Sequence, residues 1–211
     1  MKQEEKNRLS REKIIQAAIE AFANNDFEKV SQNEFCRKYD ISKGKLYHYY
    51  SSKEDLYYSC INDALCRLAD DMNRFEVDNK ADIADKFHHY YQGRISYWIK
   101  HPNDLYLIKY AIDNFDKAQY SHIKDNHTVV RSAMRSKTLE MLNEENISEK
   151  ISLADLYEVM QLLYEKTFMH QIWKIIRCIK KGDLSAARER EIALLNMYDK
   201  LIYIMLHGIL S

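Results

Sequence analysis

Apolar residues recur every three or four positions along almost the whole chain, the spacing that gathers them on one face of a helix. Ile14, Ile15, Ala18, Ile19 and Phe22 mark a first helix over 10–24. Asn24-Asn25-Asp26 ends it, with Phe27 packing beneath the turn. Ser31-Gln32-Asn33-Glu34 is a capping-box pattern, in which the serine hydroxyl and the Glu34 side chain satisfy orphan amides at the start of a second helix. That helix is short, because Asp40 and Ser42 interrupt it, and a third runs from Ser42 to about Tyr50. Ser51-Ser52-Lys53-Glu54 is a second capping signal. It opens a longer helix whose apolar stripe is Leu56, Cys60, Ile61, Leu65, Leu68 and Met72.

The polar stretch 76–80 is the expected domain boundary, with the fourth helix (about 52–76) linking a domain at 1–56 to one at 77–211. Segments near 82–100, 103–117 and 121–145 keep the helical spacing, separated by His101-Pro102 and by polar residues around 118–121. Two long amphipathic stretches complete the chain. The first, 152–180, repeats Leu153, Leu156, Met160, Leu163, Thr167, Gln171, Ile175 and Ile179; the second, 185–209, repeats Leu194, Tyr198, Leu201, Met205 and Ile209. Gly182-Asp183 between them suits a helix C-cap followed by a new N-cap. The expectation is an all-α protein of about nine helices.

Composition agrees. One proline and four glycines leave few breakers and little of the turn chemistry that a β-sandwich requires. Hydrophobic residues make up 46%, enough for a buried core. Thirty-two basic residues balance thirty-two acidic ones, so a nucleic-acid binder of this composition has to concentrate its positive charge locally. Cys36, Cys60, Cys66 and Cys178 show no metal-ligand spacing and read as reduced, mostly buried thiols. His88-His89, His122, His127 and His170 assemble no recognisable metal site, and no metal or cofactor is expected. Residues 1–13 are charged throughout, without the apolar stretch of a signal peptide, and the apolar run 201–206 is far too short to cross a bilayer. A soluble, cytoplasmic protein without a membrane partner is expected.

The chemistry concentrates in residues 31–53, SQNEFCRKYDISKGKLYHYYSSK. Two short helices joined by a tight turn around Asp40-Ile41-Ser42 form a helix-turn-helix, whose second helix enters the major groove. That helix needs polar or basic side chains at its exposed N-terminal end and apolar ones behind. Lys43, Gly44 and Lys45 meet the first demand; Ile41, Leu46 and Tyr50 meet the second. Between Arg37 and Lys53, five basic residues (Arg37, Lys38, Lys43, Lys45, Lys53) face one acidic residue, Asp40, a local excess of four. Tyr47, His48 and Tyr49 are interleaved, with polar tips able to reach phosphates or base edges.

Residues 10–61, SREKIIQAAIEAFANNDFEKVSQNEFCRKYDISKGKLYHYYSSKEDLYYSCI, closely resemble the DNA-binding domain of the tetracycline-repressor (TetR/AcrR) family of transcription regulators. Composition, spacing and order agree over this first quarter of the chain. The departures are Asp26 where the family usually has glycine, Val30 where it often has threonine, and Tyr39-Asp40 in place of Ala-Gly before the turn. Asp40 can still take a left-handed conformation there. The resemblance implies groove contacts from Lys43, Gly44, Lys45 and Tyr49, and phosphate contacts from Tyr47 and Lys53. It places Ser31, Gln32 and Asn33 at the DNA backbone, with His48 a further candidate. It also implies a ligand-responsive repressor that binds a palindromic, double-stranded operator as a homodimer and is released by a small-molecule effector.

For the effector, Tyr90, Tyr91, Trp98, Tyr106, Tyr110, Met134, Tyr164 and Phe168 lie at helical spacings that could line a cavity or simply fill a core. For the dimer, the apolar stripes of the last two stretches supply Leu156, Met160, Leu163, Leu194, Tyr198, Leu201 and Met205. A same-fold regulator answering to a protein partner is the alternative. An enzyme is disfavoured, since no nucleophile–base pair, phosphate-cradling glycine loop or metal-ligand set is apparent.

Overall fold

The computed structural model describes residues 3–142 and 152–209, without the side chains of 153, 165, 166 and 206–209. Among the described residues every regular element is helical. Eleven α-helices are present: α1 Gln3–Asn24, α2 Gln32–Lys38, α3 Lys43–Tyr49, α4 Lys53–Arg74, α5 Ile83–Lys100, α6 Pro102–Asn114, α7 Lys117–Ser121, α8 Lys124–Met141, α9 Leu153–Leu163, α10 Met169–Lys180 and α11 Leu184–Ile209. A 3-10 turn at Phe27–Lys29 and a π-helical segment at Tyr164–Phe168 supplement them.

The expected count of nine is therefore corrected, for two local reasons. Asp116 and Gln119 form a reciprocal capping box, which starts the extra short helix α7 inside the segment read as a polar break. The stretch 153–180 is helical throughout, but the π segment divides it into α9 and α10. There Tyr198 of α11 donates its hydroxyl to the Leu163 carbonyl at 3.2 Å, and Thr167 also bonds that carbonyl. A hydroxyl drawn to one backbone carbonyl is a recognised way to disturb the i→i−4 ladder. The first helix also begins earlier than its apolar pattern, since Arg8 pairs with Glu5 and Glu12 at 2.6 Å along the exposed face.

The chain divides into two compact units, Met1–Leu68 with Asn103–Val129 and Ala69–Pro102 with Val130–Ser211. In the first, Ile14, Ala18 and Phe22 of α1, Phe35 of α2, Leu46 of α3, and Leu56, Cys60, Ile61 and Leu65 of α4 are buried together with Leu105, Leu107 and Ala111 of α6. Asn103–Val129 is fastened into this unit by specific contacts. Arg67 grips the buried Asp104 with two parallel bonds, Nε to Oδ2 at 3.0 Å and Nη2 to Oδ1 at 2.8 Å, while its Nη1 meets Asp63. Tyr58 stacks on His122 with centroids 4.3 Å apart, and Asn62 donates to the His122 carbonyl at 2.9 Å.

In the second unit α5 packs against α10 and α11. Phe87, Tyr91, Ile95 and Trp98 of α5 are buried, as are Ile172, Ile175 and Ile176 of α10 and Leu194, Tyr198 and Ile202 of α11. His88 and Asp199 bridge α5 and α11 at 2.9 Å. Between α10 and α11, Gly182 takes φ +78° and the Asp183 amide donates to the Cys178 carbonyl at 3.0 Å. Asp183 then caps α11 by accepting from the Ala186 amide at 3.0 Å. No described helix is long and apolar enough to cross a membrane.

Candidate nucleic-acid interface

The helix-turn-helix is built by caps and one unusual backbone angle. Ser31 caps α2 by accepting from the Glu34 amide at 3.5 Å. After α2 the chain reverses at Asp40, whose φ of 51° lies in the left-handed region that asparagine and aspartate tolerate. The Ile41 amide then donates to the Cys36 carbonyl at 3.0 Å, and Lys13 reaches across from α1 to the Asp40 carbonyl at 3.3 Å. Ser42 caps α3 by accepting from the Lys45 amide at 3.2 Å.

Helical spacing then sorts the side chains. Ile41, Leu46 and Tyr50 are buried, while Lys43, Gly44, Lys45, Tyr47 and His48 are exposed, Tyr47 at 52%. Gly44 is not demanded by the fold, because a Cβ there would meet nothing within 4 Å. A missing side chain on an outward surface leaves room for something to approach the backbone closely.

The remaining residues have defined partners. Tyr47 donates its hydroxyl to Gln32 Oε1 at 2.9 Å, which ties α3 to the exposed start of α2, where Ser31 and Asn33 also face solvent. Tyr49 is half-buried and donates to the Asn7 carbonyl at 3.4 Å. Lys53 is more engaged than its sequence position suggests. Its ammonium donates to the Phe27 carbonyl at 2.9 Å and sits 4.2 Å from the Phe27 ring centre. An ammonium has three donors, so Lys53 keeps capacity for a further oxygen while fixing the 3-10 turn to α4. Asn7, Arg8 and Arg11 share a surface groove with His48 and Tyr49. Asn7 and Arg8 escape the sequence pattern because residues 3–9 carry no apolar periodicity, the signal there being the Glu5, Arg8, Glu12 spacing of an exposed helix; Arg11 lies on the polar face of the helix read over 10–24.

The expected effector residues separate. Tyr90, Tyr91, Trp98, Met134, Tyr164 and Phe168 are all buried in the second unit. Tyr91 lies 5.5 Å from both Tyr90 and Phe168, Tyr164 stacks on Phe168 at 4.9 Å, and Trp98 Nε1 donates to the Tyr164 hydroxyl at 3.5 Å. Burial pushes the Tyr90 and Tyr91 phenols above their ordinary range. Tyr106 and Tyr110 belong instead to the first unit, where they line a crevice of about 410 Å³ with Phe22, Phe27 and Tyr57. The apolar face of α6 is Leu105, Leu107, Ile108 and Ala111, which leaves these two tyrosines on its flank.

The expected dimer residues divide in a similar way. Leu156, Met160, Leu194 and Tyr198 are buried within their own chain and have little surface to offer; Leu163, Leu201 and Met205 are half-buried. Outward apolar side chains on the described part of these helices include Val159 and Leu162 on α9, and Leu184, Ile192, Tyr203 and Ile204 on α11.

Residues 14–60 match the family model for bacterial regulatory proteins of the tetR family. No curated protein matches the chain in sequence. Among solved structures, the chain is similar to the fatty acid degradation regulator FadR from Bacillus halodurans, at 14% identity and a TM-score of 0.65 over 88% of this chain and 94% of that one. It is also similar to the transcriptional regulator FadR from Bacillus subtilis in complex with stearoyl-CoA, at 14% identity, 0.63, and 88% and 95%. A TetR-like transcriptional regulator from Rhodococcus sp. RHA1 gives 17%, 0.62, and 94% and 96%. At these identities the structural likeness speaks for the fold.

Proposed function

We propose that the chain, whose residues 14–60 match the family model for bacterial regulatory proteins of the tetR family, is a repressor that binds a palindromic operator as a homodimer and is released by a small-molecule effector. The observation that carries the DNA half is the outward display of Lys43, Gly44, Lys45 and Tyr47 on a helix whose opposite face is locked into the core. In a protein with no net charge, this puts a local cationic excess at a segment shaped for a major groove. Lys43, Gly44, Lys45 and Tyr49 would face the groove. Tyr47 and Lys53 would hold phosphates, with Ser31, Gln32, Asn33 and His48 along the backbone.

One seven-residue helix reads too few base pairs for selectivity, which favours two copies on half-sites about 34–36 Å apart or a multiple of that. Val159 and Leu162 with Ile192, Tyr203 and Ile204 would meet their counterparts in the second copy. The effector half is supported by the buried aromatic cluster of the second unit, and by a structural neighbour that was solved holding an acyl-CoA.

The test is operator binding by Lys43→Ala and Lys45→Ala, using DNA recovered from the genome with the protein. Each substitution should weaken binding about tenfold and lower the salt dependence by about one counterion, with the melting temperature unchanged. A folded, dimeric Lys45→Ala protein that binds as tightly as the parent overturns the assignment.

A further inference from the structure

Two arginines on buried helix faces are treated differently by this chain. Arg67 has all three guanidinium nitrogens bonded to carboxylates, Nε and Nη2 to Asp104 and Nη1 to Asp63. Arg94, on α5, is more deeply buried, at 2% exposure. Only its Nη2 is bonded, to Asp71 near the solvent; Nε and Nη1 have no hydrogen-bond partner among the described residues. The Tyr90 hydroxyl, one helical turn away and 3% exposed, has none either. The rings of Tyr90 and Tyr97 flank the guanidinium, with centroids 5.5 and 5.7 Å from its carbon.

Such donors are costly to bury unpaired, and a buried guanidinium needs its charge offset nearby. Asp71 offsets it incompletely, since the carboxylate side chain is 41% exposed and screened by water. A water molecule could accept from the free donors but would bring no charge. Around this point the lining is aromatic: Phe75 sits edge-on to Tyr90 at 5.4 Å, and Tyr91 adjoins Tyr90 at 5.5 Å. A few fixed donors set in an aromatic wall make an arrangement for a small ligand with one polar end.

We propose that Arg94, with the Tyr90 hydroxyl, is the anchor for the carboxylate of a small organic acid whose apolar body lies against the aromatic cluster of the second unit. A monoanion suits the site better than a dianion. With Asp71 already beside the guanidinium, a carboxylate leaves the trio at −1, whereas a phosphate dianion would leave it at −2 in a largely desolvated place. Asp71 thus competes with the ligand for Arg94. The inference rests on reading the second unit as the effector-binding domain.

The test is calorimetric titration and melting of the full chain with acetate, octanoate, phenylacetate and indole-3-acetate, each against its own amide, with inorganic phosphate as a further arm. At least one acid should bind tenfold or more tightly than its amide. Arg94→Gln should abolish that preference, Arg94→Lys should retain part of it, and Asp71→Asn should tighten acid binding several-fold. A purely structural Arg94–Asp71 pair would not give the last result. Should Arg94→Gln fail to fold, Tyr90→Phe removes only a hydroxyl and should weaken the acid several-fold.

Equal binding of every acid and its amide, acid binding that survives Arg94→Gln, or preference for phosphate overturns the proposal. Operator binding by the same preparations separates it from the reading beneath it. Release from DNA by a compound that ignores Arg94 sinks the carboxylate site alone. Arg94-dependent acid binding that leaves DNA affinity untouched sinks the effector reading and keeps the site.

Discussion

The two units use cations in opposite ways. The first displays Lys43 and Lys45 on the outside of a short helix, where water solvates them at little cost, and pairs its half-buried Arg67 completely. The second keeps Arg94 inside with two nitrogens unpaired among the described residues. An exposed lysine can be exchanged with little consequence for folding, so its effect is read in binding. A buried arginine and its aromatic neighbours cannot, because the groups that would recognise a ligand also hold the core together. At Lys43 and Lys45 the proposed recognition is separable from stability, whereas at Arg94 the two are entangled.

Alkaline pH should break that comparison most completely. Burial pushes the phenols of Tyr90, Tyr91 and Tyr198 in the second unit above the ordinary value of about 10. Their protons are therefore held more tightly in the folded than in the unfolded chain. This contribution to stability is fully present below about pH 10 and is lost as pH rises toward the folded values. Tyr57 shows the same direction in the first unit, with fewer companions as deeply buried. Tyrosinate absorbance and loss of helical circular dichroism should rise together in one cooperative step, with the second unit failing first. Smooth titration at ordinary pH with the helices intact would mean that these phenols open without unfolding, and that the second unit is not a tightly closed core.

Trp98→Ala should come next. The indole is fully buried and donates to the Tyr164 hydroxyl. Its removal should cost about 3–5 kcal/mol in denaturant unfolding. Lys45→Ala in the first unit should stay within about 0.5 kcal/mol of the parent. A Trp98→Ala loss below about 1 kcal/mol would show that the aromatic cluster is loosely packed and would weaken the contrast.

The same contrast explains what was legible in the sequence. The helix-turn-helix segment is contiguous: Ser31 and Ser42 announce their caps, Asp40 marks the turn, and the alternation of Ile41, Leu46 and Tyr50 with Lys43, Lys45 and Tyr47 orients α3 from a dozen letters. The second unit is assembled from helices far apart in the chain, and periodicity there says only which residues are inside. It could not tell that Tyr106 and Tyr110 join the first unit, nor that Leu156 and Met160 face their own core while Val159 and Leu162 face outward. Arg94 was visible in principle. It falls on the stripe of Tyr90, Tyr91, Ile95 and Trp98, four residues from both Tyr90 and Trp98, and a charge on a buried stripe asks for a partner. Asp104 on the buried face of α6 is the same signal, answered by Arg67.

The smallest effect sharpens the first half of the comparison, at Asp40. A non-glycine residue at φ 51° carries a conformational cost of about 1 kcal/mol, partly recovered because glycine is freer in the unfolded chain. Asp40→Gly should therefore stabilise the protein by a few tenths of a kcal/mol up to about 0.7, measured by the unfolding midpoint. The bond from Lys13 survives, since it ends on the Asp40 backbone carbonyl. The substitution also deletes the one acidic side chain between Arg37 and Lys53, so operator affinity should rise a few-fold at low salt and converge on the parent at high salt. A gain in affinity that does not fade with salt would show that the turn itself had moved α3, and that recognition and folding are coupled in the first unit as proposed for the second.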